Sequence, residues 1–408
     1  MVSVFGTLSE LGIDEFDASV RGFEDSTGID VRYVGSSDFE NDLLERLRRG
    51  DPPDLALLPQ PGLLRAITED GFALPWTGDL AAAADRSVDQ RLVDLATFDG
   101  QQFGAWYQLT LKSLIWYSPR EFTARGLSVP TTWDGLVQLV DEIVASGVAP
   151  WCLGIRDGGA TGWAATDWVE DLLLRSAGPD AYDAWVAHDL AFTDHAVNDA
   201  ATRFGAIALD RTKVFGGNRA AVEFTVGEAA RQLLASPTKC LLHHQASFLP
   251  RMVGGNVNIA LDGDLWAFPV PPMSGSAAPL VVGGNMVVRF SDDPNVNALA
   301  AYLTSDAAAK ARIARGGFVS PRESIGLESY RDPMSRAIAG WVRNAEVVRF
   351  DASDLMPPDV GVGTFWSGMT AYLGGARLSS VLQTIDASWP LGVTTRPAPM
   401  PELGGSGG

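Results

Sequence analysis

Ile29-Asp30-Val31-Arg32-Tyr33-Val34, followed by Asp54-Leu55-Ala56-Leu57-Leu58 behind Pro52-Pro53, sets the fold class of this chain. The first segment alternates apolar and polar residues, the period-2 signature of a half-buried strand. The second is apolar after its aspartate, as expected of a strand covered on both faces in a parallel sheet. Between them, Asp38–Arg49 places Phe39, Leu43, Leu44 and Leu47 at helical spacing. Upstream, Val2–Phe5 reads as a strand. Glu15–Ser26 reads as a helix with Phe16, Val20 and Phe23 aligned, closed by Gly28. The order β-α-β-α-β predicts a parallel sheet with helices on both faces. Such sheets bind ligands beyond the carboxyl ends of their strands. The loops Gly35–Glu40 and Pro59–Gly62 sit at those ends, and their Ser, Asp and Pro-Gly residues equally suit caps and turns.

With 408 residues the chain exceeds one ordinary core, so two lobes are expected. A net charge of 31 − 50 = −19 lacks the basic footprint that nucleic acid or an anionic membrane surface requires. No run approaches the ~18 apolar residues of a membrane span. Met1-Val2-Ser3-Val4-Phe5 shows no basic segment followed by an apolar one, and Gly404-Gly405-Ser406-Gly407-Gly408 has linker composition. Catalytic signatures are missing: no Gly-x-Ser-x-Gly elbow, no phosphate-binding Gly-x-x-x-x-Gly-Lys, no His-Glu-x-x-His. Gly361-Val362-Gly363 lacks the third glycine of a dinucleotide fingerprint. Carboxylates are numerous, so a glycoside hydrolase with two paired acids is the rival from another class. A β/α barrel, however, needs eight strand–helix alternations, and the helix-rich middle lacks them.

Cys152 and Cys240 are the two cysteines, with His243 and His244 near the second. A zinc site would lack a second Cys-x-x-Cys arm. One disulfide of an exported protein and two unrelated buried thiols both fit the sequence. No metal and no cofactor are expected.

The aromatic stretch runs from Trp151-Cys152-Leu153-Gly154 to Gly162-Trp163-Ala164-Ala165-Thr166-Asp167-Trp168. An indole face offers flat apolar area for the C–H face of a sugar, and a carboxylate accepts its hydroxyls. Trp163 and Asp167, at i and i+4 of a helix over Trp163–Ser176, share a face, whereas Trp151 and Trp168 suit packing. Both residues have a plain alternative, since aromatics fill cores and acids favour first turns. Val281-Val282-Gly283-Gly284-Asn285-Met286 reads as two apolar strands joined by glycines that suit a hinge or a close backbone approach to a ligand.

The ordered motifs Thr27-Gly28-Ile29-Asp30-Val31, Pro52-Pro53-Asp54-Leu55-Ala56, Pro59-Gln60-Pro61-Gly62 and Lys112-Ser113-Leu114-Ile115-Trp116-Tyr117 continue with Pro150–Gly154, Gly162–Trp168, Cys240–Phe248, Gly316–Ser320 and Gly363–Trp366. Over roughly residues 2–390 this series resembles the extracellular solute-binding proteins of carbohydrate ABC importers, in the branch that binds α-glucosides and related oligosaccharides. The resemblance implies a periplasmic-binding-protein-like α/β fold of two discontinuous lobes, with the ligand in a cleft and hinge closure around it. The lobes are expected at 1–111 with 283–328 and at 112–282 with 329–395, and 396–408 as a tail. It implies a Cys152–Cys240 disulfide in the second lobe. It further implies a monomer that captures a di- or oligosaccharide and delivers it to a membrane permease, without catalysis. A glycosylated osmolyte, polyol or peptide is the alternative solute. The native location would be extracellular or cell-surface, lipid-anchored or periplasmic, with the lipoprotein signal and anchoring cysteine outside this chain. The candidate ligand residues are Asp167, Trp163, Asp38, Phe39, Gln60, Lys112, Gln245, Trp266, Asn285 and Trp366.

Overall fold

The computed structural model describes residues 1–8, 10–275 and 278–390; the expected tail at 396–408 lies outside them. The described chain divides into two compact units. The first comprises Met1–Thr110 and Gly283–Ala339, the second Leu111–Val282 and the chain from Gly340 on. Both are mixed α/β.

In the first unit the strand Val2–Gly6 lies between two parallel neighbours. It pairs with Val31–Gly35 on one side and with Leu55–Leu58 on the other. Met286–Arg289 continues the sheet antiparallel to Leu55–Leu58. The burial pattern explains the choice of residues. Leu55–Leu58 is buried throughout, while Val31–Gly35 at the edge buries only Tyr33. Phe16, Val20 and Phe23 seal the helix Glu10–Thr27 onto the sheet. Burying each such side chain contributes about 1.5–3 kcal/mol. Asp54 ties the strand starts together, accepting from the backbone and hydroxyl of Ser3 at 2.8 Å each. This helix begins before Glu15, and the second strand ends one residue beyond Val34.

Gly283 and Gly284 do not separate two strands. They lie inside the single strand Leu280–Arg289, and neither has a positive φ. What the glycine serves is close approach: a Cβ on Gly284 would sit 2.3 Å from the Gln108 carbonyl oxygen. The residue type signals missing bulk, and here the backbone of a neighbouring strand takes up that space.

The second unit has its own four-stranded sheet, in the order Trp266–Pro269, Leu114–Tyr117, Cys240–His244, Ala149–Trp151. The first two pairings are antiparallel and the last is parallel. Cys152 and Cys240 form a disulfide, with Cα atoms 5.4 Å apart, beside that parallel pair. Trp151 and Trp168 meet edge to face at 4.9 Å, and Trp168 also lies against Phe204 and His244. A separate short strand, Val348–Phe350, runs parallel to Leu280–Val282.

Candidate ligand-binding site

The helix Trp163–Ala177 is the element on which Trp163, Asp167, Lys112 and Trp366 converge. Every residue from Trp163 to Arg175 is buried, although Asp167, Glu170, Asp171 and Arg175 are among them. Buried charge is costly unless paired and hydrogen-bonded. The C-terminal half of the helix meets that condition in full. Asp171 is paired with Arg175, takes the Ser113 hydroxyl at 2.5 Å and the His244 Nε2 at 2.8 Å. Arg175 in turn donates to the carbonyls of Val270, Pro271 and Pro279. Burial pushes the Asp171 carboxyl up, but Arg175 and His244 outweigh it and hold it below the usual range. His243 donates through Nδ1 to the Cys152 carbonyl at 2.6 Å, and burial pushes its pKa down to about 4.

The N-terminal half is different. Its cap, Gly162, has φ +115, and a Cβ there would lie 2.1 Å from the Trp366 carbonyl oxygen. Only glycine suits both the conformation and the contact. Trp163 then fixes its indole by donating to Asp157 at 2.8 Å and leans against Phe248 at 5.8 Å. One turn on, Asp167 Oδ1 accepts from Lys112 Nζ at 3.0 Å. The same ammonium is paired with Asp351 and lies 5.4 Å from the Trp163 ring centroid, a cation–π distance.

Backbone pairing brings Lys112 and Asp351 together: the Lys112 N–H donates to Val281 O and the Asp351 N–H to the adjacent Val282 O. The other Asp351 oxygen accepts from the Ser353 hydroxyl at 2.8 Å and the Asp354 N–H at 2.9 Å. Glu170 accepts the N–H groups of Ala352 and Ser353. Trp366 donates weakly, at 3.4 Å, to the Ser353 hydroxyl.

One ammonium therefore faces four acids. Burial alone would lower the Lys112 pKa, but Asp167, Asp351, Asp354 and Glu170 raise it well above the usual lysine value. Burial likewise pushes on Asp351, and Lys112 holds it below the usual carboxylate range. Asp167 is pushed by burial to about 7 in spite of Lys112, with Asp351 adding to the rise. Glu170 is raised well above its ordinary value by burial, Asp351 and Asp167. Carboxylate oxygens of Asp167, Glu170 and Asp351 lie within 4.8 Å of one another, a spacing a cation could bridge; the Lys112 ammonium supplies that charge. Asp167, only 3% exposed, keeps its Oδ2 without a hydrogen-bond partner. An ionised oxygen so placed is a strong acceptor awaiting a donor.

The remaining candidates are placed as follows. Gln245 is buried and its side chain accepts from the Ala246 N–H; Trp266 is buried in its strand opposite Tyr117. In the first unit, Phe39 packs on Phe5 at 5.2 Å, and Asp38 accepts from the Asn41 amide at 2.8 Å. Gln60 caps the helix Pro61–Glu69 and donates to Glu40 at 2.6 Å, while its buried Oε1 has no donor. Asn285 Oδ1 is likewise buried without a donor. Sequence reasoning passed over Asp351, Ser353 and Asp157, and reached Glu40 only as the last residue of the candidate loop Gly35–Glu40. Asp351-x-Ser-Asp reads as a helix start, and nothing local marks it as the partner of a lysine far away in the chain.

Residues 5–310 match the family described as bacterial extracellular solute-binding protein. The chain belongs to this family. Among curated relatives, this solute-binding protein is 39% identical over 392 residues to the osmoprotective compounds-binding protein GgtB of Synechocystis sp., covering 95% of this chain and 92% of that one. It is 35% identical over 395 residues to the alpha-glucosides-binding periplasmic protein AglE of Rhizobium meliloti, covering 93% and 85%. In fold it resembles the bacterial solute receptor AcbH, described as preferring β-D-galactopyranose, with a TM-score of 0.81 at 16% identity, over 95% of this chain and 97% of that one. The expected periplasmic-binding-protein architecture and the importer family are thereby established for this solute-binding protein. No helix among its described residues is long and apolar enough to cross a membrane.

Proposed function

We propose that this solute-binding protein captures a neutral, α-glucose-containing di- or oligosaccharide and delivers it to the membrane permease of an ABC importer, without turning it over. The observation that carries the reading is the buried, partnerless Asp167 Oδ2, one helical turn after Trp163. A pyranose offers what both need, an apolar C–H face and hydroxyl donors. Likeness to a protein named for α-glucosides supports the sugar class. The match to GgtB, named for osmoprotective compounds, favours a second reading within the same chemistry, a small glycosylated polyol.

Calorimetric titration with maltose, trehalose, sucrose, larger α-glucosides and glycosylated glycerol tests the proposal. At least one should bind and raise the melting temperature, since a ligand of the native state stabilises it. Failure of the whole panel would refute it, and release of free glucose on long incubation would turn the case towards a hydrolase.

A further inference from the structure

The sugar reading assigns Asp167 and Trp163 to the ligand and leaves unexplained why a lysine and a third acid are buried beside them. Lys112 Nζ donates to Asp167 Oδ1 at 3.0 Å, is paired with Asp351 and lies over the Trp163 ring. An ammonium has three hydrogens and no acceptor. Two are taken by carboxylates and the remaining face of the group is turned towards the indole, so little of Lys112 is left for a ligand. Asp351, 0% exposed, is itself held by the Ser353 hydroxyl and the Asp354 N–H, so the lysine is gripped from a fixed point.

We propose that Lys112 and Asp351 are positioning residues: the lysine, held by Asp351, fixes the Asp167 carboxyl through Oδ1, so that Oδ2 is aimed as an acceptor for a sugar hydroxyl. The inference rests on the sugar reading for its ligand, not for its geometry. The groups acting on Asp167 come from three elements. Lys112 stands at the end of the strand Gly104–Leu111; Asp351 caps the short helix Ala352–Leu355, whose Asp354 acts on Lys112. Glu170 and Asp171 share its own helix, Asp171 being already paired with Arg175 and hydrogen-bonded by His244. Among the described residues that touch Asp167 the lysine is the one cation, so the two substitutions have opposite signs. Losing Lys112 removes the attraction that favours the ionised carboxyl. Losing the Asp351 charge removes a repulsion and frees Lys112 for Asp167 alone.

Two readouts on the whole chain test this. The first is the carboxyl ¹³C resonance of Asp167, followed against pH without ligand. Its midpoint should rise by about one unit or more in Lys112→Met, fall in Asp351→Asn, and stay near wild type in Lys112→Arg. The second is calorimetric affinity for the best-binding sugar of maltose, trehalose and sucrose between pH 5.5 and 8.5. Wild-type affinity should fall about tenfold towards acid. At pH 7, Lys112→Met should bind about tenfold more weakly than wild type, with Lys112→Arg restoring most of the loss, and Asp167→Asn should bind weakly with no pH dependence. If Lys112→Met does not melt cooperatively, Asp351→Asn, which preserves the shape of the side chain, carries the test. Unmoved midpoints in either variant, or wild-type affinity independent of pH, would overturn the inference. If none of these sugars binds wild type, the sugar reading fails, and the ¹³C midpoints still decide the roles of Lys112 and Asp351.

Discussion

At the scale of single residues, the account turns on one carboxylate with two unlike oxygens. Asp167 Oδ1 is committed to Lys112 and Oδ2 is uncommitted. Asp167→Ala should therefore weaken sugar binding at least about tenfold, or ~1.4 kcal/mol, in a calorimetric titration. Unchanged affinity would reduce Asp167 to a helix-start acid. His243 makes a prediction of opposite character, on stability rather than binding. Its folded pKa of about 4 lies below the ordinary 6.5, so the unfolded chain takes up the proton first as pH falls. The stability it permits is complete above pH 6.5 and is lost as pH drops towards 4, on the order of 3 kcal/mol. Urea melts of His243→Gln at pH 7.5 and 4.5 should show a smaller acid loss than wild type, and an equal loss would contradict this. Which of these residues were legible in sequence follows from physics. The Trp163–Asp167 spacing is a local property of a helix and can be read off. The burial of Asp167, the partnership of Lys112 and the role of Asp351 arise only when distant strands pair, and an acid at a helix start looks the same solvated or buried.

Among the elements, the helix Trp163–Ala177 is anchored at its C-terminal half by Arg175, His244 and Ser113, and the sugar reading gives its N-terminal half to the ligand. Its first residue is set by Gly162, whose left-handed φ and contact with the Trp366 carbonyl admit no side chain. Gly162→Ala should cost about 2 kcal/mol or more and weaken sugar binding by displacing Trp163. Gly28→Ala, with φ +70 but open space around it, should cost only about 1 kcal/mol and leave affinity unchanged. Equal effects at the two sites would show that the Trp366 contact is immaterial. The periodic elements were legible because burial follows pattern: Phe16, Val20 and Phe23 fall on one helical face, and Thr132 caps the helix Trp133–Ala145 as its residue type suggests. The Gly283-Gly284 pair was misread because glycine permits several backbone states and here adopts an ordinary extended one inside a strand.

Over the whole molecule, the ordered motifs were a better guide than any one of them, because a family fixes many short segments in sequence while each alone is common. The Cys152–Cys240 disulfide closes a separation of 88 residues within the second unit and ties the strand Ala149–Trp151, which leads towards Asp157 and Trp163, to its parallel partner Cys240–His244. Cross-links of such loops contribute about 2–5 kcal/mol. The double variant Cys152→Ala/Cys240→Ala should melt at lower denaturant concentration by that amount, and an unchanged midpoint would make the bond incidental to stability. The surplus of acids gives the molecule its net charge of −19, and the candidate site shares that surplus. The sugar reading therefore expects a neutral sugar to bind in preference to a sugar acid. The most direct test of the central claim is a crystal structure with the best-binding α-glucoside. The account predicts a sugar hydroxyl within ~2.6–3.0 Å of Asp167 Oδ2 and a pyranose face on Trp163. A bound sugar that leaves Oδ2 without a donor would contradict it.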